Sequence, residues 1–236
     1  MNATAFKNLL VATALAGILA GLLLTLVQRI QVVPLILEAE RYEQAATSEI
    51  AHTANHSPIS ANQEHTHSAW QPEQGWERTL YTAAANIVVA FGFALLLGAV
   101  ATLRGTKLTW RSGLLWGLGG YVTCFVAPSL GLPPDVPGTE AARLLSRQMW
   151  WASTAFATGS GLWFIIFSRR YLLNILGVAL LIAPHLIGAP QAEVHVSTAP
   201  AELARAFVVA TMLANAVFWL GLGGLYGFFQ GRAEHG

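Results

Sequence analysis

The chain has 236 residues, of which 54% are hydrophobic and 11% charged, with a mean hydropathy of +0.51. Soluble domains carry about a quarter charged residues, so this composition is that of an integral membrane protein, and eight Trp fit interfacial aromatic belts. A net charge of +1 gives no case for nucleic-acid binding. The one cysteine, Cys124, excludes an intrachain disulfide and any CxxC motif; it reads as a small apolar residue within a helix.

Lys7 precedes a charge-free run from Leu9 to Val27, followed by Gln28 and Arg29. The run is longer than the core of a signal peptide and no A-x-A site follows it, so a spanning helix is expected. Gly17 and Gly21 form a small-xxx-small pair that lets another helix approach, although glycine is frequent in membrane helices anyway. Pro34 suits the first turn of a new helix, where its missing N–H costs nothing. In that helix Glu38 and Tyr42 share one face and Glu40 and Glu43 another. Carboxylates therefore gather where the apolar run meets water.

Residues 44–78 are polar, carry His52, His56, His65 and His67, and read as a loop within an outer hydrophilic segment, 31–79. Imidazoles at i, i+4 and at i, i+2 can gather transition-metal ions, while a flexible tract has no fixed geometry to choose among them. The competing reading is a solvated linker.

Five more apolar segments follow, at about Leu80–Leu103, Gly113–Leu132, Trp150–Phe167, Leu172–Ile187 and Leu203–Phe229. Each is long enough to cross if tilt or small mismatch is allowed. The expected fold is a single all-α membrane bundle over 1–236 with six crossings, or five if the short fifth segment is re-entrant. Arg104, Lys107 and Arg111 fill one short connector, and Arg169 with Arg170 another. Positive-inside weighting then sets both termini inside. In that orientation eleven of the twelve acids, all but Glu234, and six of seven histidines fall outside, giving the outer face a cation-attracting field.

Between the third and fourth segments, Pro128, Pro133, Pro134 and Pro137 prevent a continuous helix. Asp135 and Glu140 sit in this stretch, followed by Arg143, Arg147 and Gln148, with Thr139 as a candidate helix cap. His185 lies between Pro184 and a Gly-Ala-Pro stop, a more fixed position for a ligand than the loop histidines; the bland alternative is an interfacial imidazole satisfied by a carbonyl or water. His195 reads as solvated.

No Asp, Glu, Lys or Arg occupies the middle of any apolar segment, where proton-coupled carriers usually place one. The interior polar residues are neutral, among them Thr25, Asn86, Thr123, Thr154, Thr158, Asn174, Thr211 and Asn215. They are either interhelical hydrogen bonds or oxygen ligands along a path, with Thr25, Asn86, Thr154 and Asn215 as the candidate path. Walker A, HExxH and GxSxG patterns are absent, so no enzyme and no prosthetic group is expected.

Four ordered blocks, the first crossing running into LILEAERYE, then LGLPPDVPGTEAARLLSRQMWW, APHLIGAP and PAELARAFVVATMLANAVFWLGLG, resemble the CbtA family of predicted cobalt transporter subunits. The resemblance spans nearly the whole chain apart from the His-rich insert around 46–75. It implies a multi-pass bacterial inner-membrane protein that moves cobalt(II) or another divalent transition metal, is tied to cobalamin supply, and works with a small CbtB-like membrane subunit. Family members are described with five crossings, and six are counted here. The resemblance transfers no ligand set, so the candidate metal residues Glu38, Glu40, His185, Asp135 and Glu140 come from chemistry and position. Homo-oligomerisation is left open. The competing function is a membrane assembly subunit whose glycine-rich helices, including Gly223 and Gly227, pack against a larger complex.

Overall fold

The computed structural model describes residues 3–54, 72–192 and 197–233, and among these the chain is helical with no strand beyond one isolated bridge. Helix α1 (Ala3–Val27) passes through a π-helical turn (Gln28–Val32) into α2 (Val33–Ala54). Then come α3 (Trp76–Arg104), α4 (Trp110–Tyr121), a second π turn (Val122–Val126), the short α5 (Ala127–Ser129), α6 (Leu144–Phe167), α7 (Tyr171–Ile187) and α8 (Ala201–Ala233).

Three helices, Phe6–Ser48, Trp76–Arg104 and Ala201–Arg232, are long and apolar enough to cross a membrane, and Tyr171–Ile187 is shorter and also apolar. Lipid tails give no hydrophobic drive for one helix to seek another, so packing must come from close approach. The sequence supplies it with alanine and glycine. Ala12, Ala16 and Ala20 on α1 and Ala90, Ala94 and Ala101 on α3 are fully buried, in one cluster with large α8 side chains: Phe207, Phe218, Trp219, Leu222 and Tyr226. Gly17 and Gly21 lie against the backbone of Phe91 and Ile87, so the small-xxx-small pair is used, and it is used on α3. Gly113 and Gly117 of α4 meet Gly223 and the Trp219 carbonyl of α8 in antiparallel register. Helices α6 and α7 form a separate antiparallel pair in which Gly161 and Gly177 touch backbone to backbone. The bundle therefore has a four-helix centre, α1, α3, α4 and α8, with the α6–α7 hairpin attached through the second π turn and α5.

Several sequence expectations are corrected. Pro34 does not begin a new helix: α1 and α2 form one rod, with the Val33 N–H bonded to the Gln28 carbonyl across the π turn. The same arrangement recurs in the third segment, where the Ala127 N–H reaches the Val122 carbonyl one residue before Pro128. A proline ring collides with the carbonyl four residues back in an α-helix; a π turn just ahead of it moves that carbonyl aside. Cys124 sits in the second of these turns, half-buried. The polar stretch expected as loop from residue 44 stays helical to Ala54. Thr139 caps no helix; it bridges to Ser197, and α6 begins at Leu144 after Arg143, which has no side-chain cap bond. His56, His65, His67 and His195 lie outside the described residues, as does the His52 side chain, although the His52 backbone belongs to α2.

Candidate functional site at the acidic end

Three chain segments meet at the end of the bundle where most of the carboxylates lie: α2, the proline-rich stretch before α6, and the stretch leading into α8. Gly138, at φ +77, lies against the Glu43 side chain and the Thr198 hydroxyl, and Thr198 N–H donates to the Gly138 carbonyl at 3.2 Å. A side chain at 138 would be strained by its backbone and obstructed by both neighbours.

The structure distributes the five candidate metal residues rather than gathering them. Glu38 and Glu40 are two residues apart on a helix, hence about 200° apart around its axis, and no single ion can take both. Glu38 is exposed; Glu40 turns toward α3 and forms a two-point ion pair with Arg78, 2.7 Å from Nη2 to Oε1 and 3.3 Å from Nη1 to Oε2. Gln74 Nε2 donates to the same carboxylate at 3.4 Å. Asp135 is paired with Arg147 at 3.3 Å, and Glu140 is exposed. His185 lies in the last turn of α7, half-buried, with its ring edge-on to the Trp150 indole at 6.2 Å between centroids. Among the described residues no three His, Cys, Asp or Glu side chains stand close enough to hold one ion.

Arg78 and Trp150 are the neighbours of the candidate residues that sequence reasoning did not single out. Arg78 is 38 residues from Glu40, with the histidine tract between them, so no helical spacing relates the two. Trp150 was legible only as an interfacial marker; its partnership with His185 depends on how α6 and α7 pair.

Beside the Glu40–Arg78 pair, a cleft of about 300 Å³ opens between the α1–α2 rod and α3, lined by Thr25, Gln28, Arg29, Val33, Leu37, Gln74, Gly75, Arg78, Thr79 and Thr82. Two of the candidate path residues meet at its base. Asn86 Nδ2 donates to Gln28 Oε1 at 2.7 Å and to Thr25 Oγ1 at 3.0 Å, while Thr25 donates to the Gly21 carbonyl at 2.8 Å. This is a satisfied interhelical network, which ties the first π turn to α3. Thr154 lies on α6, and Asn215 lies on α8 bonded to the Thr211 carbonyl at 3.0 Å. The four residues are thus spread over α1, α3, α6 and α8.

Such a fold, with long apolar helices and an uncharged interior, defines a helical membrane protein, with carboxylates and an imidazole at one end. Residues 6–231 match the family model described as probable cobalt transporter subunit (CbtA), and the chain belongs to that family. No curated protein and no solved structure matches it.

Proposed function

We propose that this chain is the permease-type subunit of a bacterial inner-membrane system that transports a divalent transition metal, cobalt first among them, linked to cobalamin supply. Membership of a cobalt transporter subunit family over nearly the full chain carries the reading. The charge distribution supports it: an acidic, imidazole-bearing end and no ionised group in the middle of the apolar segments. In this reading six segments cross the bilayer with both termini inside. A reporter fused near residue 60 then reads as external, and a cytosolic signal there overturns the orientation.

The cation is drawn to the acidic end and handed between separate stations, Glu38, Glu40, Asp135 and Glu140, with His185 as the fixed nitrogen ligand at the mouth. His52, His56, His65 and His67 raise the local metal concentration ahead of them. Mixed imidazole and carboxylate ligation suits cobalt, nickel, zinc and iron. The deciding experiment is metal accumulation in cells expressing this chain, measured across Co, Ni, Zn and Mn. His185→Ala is expected to abolish cobalt accumulation while the protein remains in the membrane; normal accumulation removes that residue from the site.

A second reading, an assembly subunit, draws support from α7, which among the described residues packs extensively only against α6 and exposes Leu172, Ile175, Ile182 and Leu186. A stable stoichiometric partner, small and CbtB-like or a second copy, together with no metal accumulation, favours it.

A further inference from the structure

The buried residues of α6 are Trp150, Thr154, Thr158 and Gly161. Their spacings of four, four and three place them in one stripe along the helix. At both ends this stripe faces α7, through His185 at Trp150 and through Gly177 and Leu181 at Gly161. Three of the four carry a polar atom that is buried with no hydrogen-bond partner: Trp150 Nε1, Thr154 Oγ1 and Thr158 Oγ1.

The threonines are notable for what they do not do. A helical threonine ordinarily returns its proton to the carbonyl four residues back, as Thr25, Thr79, Thr82 and Thr102 do here at 2.7–2.9 Å. Thr154 and Thr158 make no such bond, and their residues are 0% and 1% exposed. On the facing helix, Pro184 is buried inside α7 and has no N–H to give to the Leu180 carbonyl. Helix geometry sets that carbonyl on the same side as Pro184, toward the seam. Leaving buried groups of this kind unpaired is costly, and a run of them in one seam calls for an occupant.

We infer that the Trp150–Thr154–Thr158 face of α6, with the Leu180 carbonyl of α7, forms the half of the permeation path that opens at His185, and that it takes a partly hydrated divalent cation. The inference rests on the transport reading above. Hydroxyl and carbonyl oxygens replace part of the water around the cation without a fixed charge to trap it, and the Trp150 Nε1–H, a donor only, bonds to a water that the ion keeps. The Gly161–Gly177 backbone contact closes the file at its far end: a Cβ at 161 would come within 2.7 Å of the Gly177 carbonyl oxygen, so nothing passes while that contact holds.

The test is the double variant Thr154→Val/Thr158→Val, which keeps side-chain shape and removes both hydroxyls. Relief of two orphaned groups predicts an equal or higher Tm, while cobalt uptake falls at least tenfold. The serine pair, Thr154→Ser/Thr158→Ser, keeps the hydroxyls and is expected to retain uptake. Thr13→Val is the control: Thr13 is equally buried and orphaned, but lies on α1, and its loss is expected to leave uptake unchanged. Wild-type uptake in the valine pair, or equal losses in the valine and serine pairs, overturns the file while leaving the transport reading intact. Absence of metal uptake by the wild-type chain overturns both.

Discussion

Replacing Gly21 with alanine sets a methyl carbon where the α3 backbone already lies. The added Cβ would fall 2.6 Å from Ile87 Cα and 2.8 Å from Ile87 N, about 0.8 Å inside the 3.4 Å at which ordinary van der Waals contact begins. Backbone atoms cannot rotate away as a side-chain tip can, so α1 and α3 must separate along a seam that also holds Gly17 against Phe91. Overpacking of this kind costs about 1–3 kcal/mol. Gly92, on the same pair of helices, has nothing within 4 Å of an added Cβ, and alanine there gains up to about 1 kcal/mol of helix propensity. Thermal unfolding of the purified protein in detergent should therefore show Gly21→Ala melting below wild type and Gly92→Ala at or above it. Equal Tm values for the two variants would refute the close approach of α1 and α3.

Arg78→Gln releases Glu40 from its two-point ion pair and weakens the tie between α2 and α3. Partly exposed pairs are worth up to about 1 kcal/mol, so Tm should fall slightly, and on the transport reading the freed carboxylate lowers the cobalt concentration giving half-maximal uptake; a rise in that concentration counts against Glu40 as a station. Gly98→Ala drives a Cβ into the fully buried Tyr226 hydroxyl; Tyr226→Phe removes that hydroxyl, which has no partner. A double-mutant cycle in Tm should show the phenylalanine rescuing part of the alanine's loss, and strict additivity would mean the two do not touch. Deleting residues 46–75 is expected to raise the metal concentration for half-maximal uptake, and unchanged uptake at low metal rejects a gathering role for the histidine tract.

Most of the helices were legible from apolar runs bounded by charge and proline, because in lipid a helix is the one open-chain form that satisfies its own backbone. The family was legible as well, from four ordered blocks spread from the first apolar segment to the last. Local rules failed at the polar stretch after residue 44, which stays helical, at Thr139, which caps nothing, and at proline. Pro34 was read as a helix start and is absorbed by a π turn just ahead of it; Pro128 was read as part of a proline-rich break, which does follow at Leu130, and it too sits just after a π turn. The decision between break and bulge depends on what packs alongside, and α8 packs against both π turns.

The linear chain determined that this protein is built of apolar helices suited to a membrane, that their middles carry no ionised group and that its acids fall in the stretches between them, since all three follow from which side chains lipid tolerates. Tertiary structure alone decided which of those acids remain free. Glu38 and Glu40 look equivalent in sequence, yet the turn of the helix sends one to solvent and the other to Arg78, brought from 38 residues away. It likewise decided which threonines are spent on their own helix and which are buried on α6 unpaired, because that depends on how helices pack and on no property of one helix by itself.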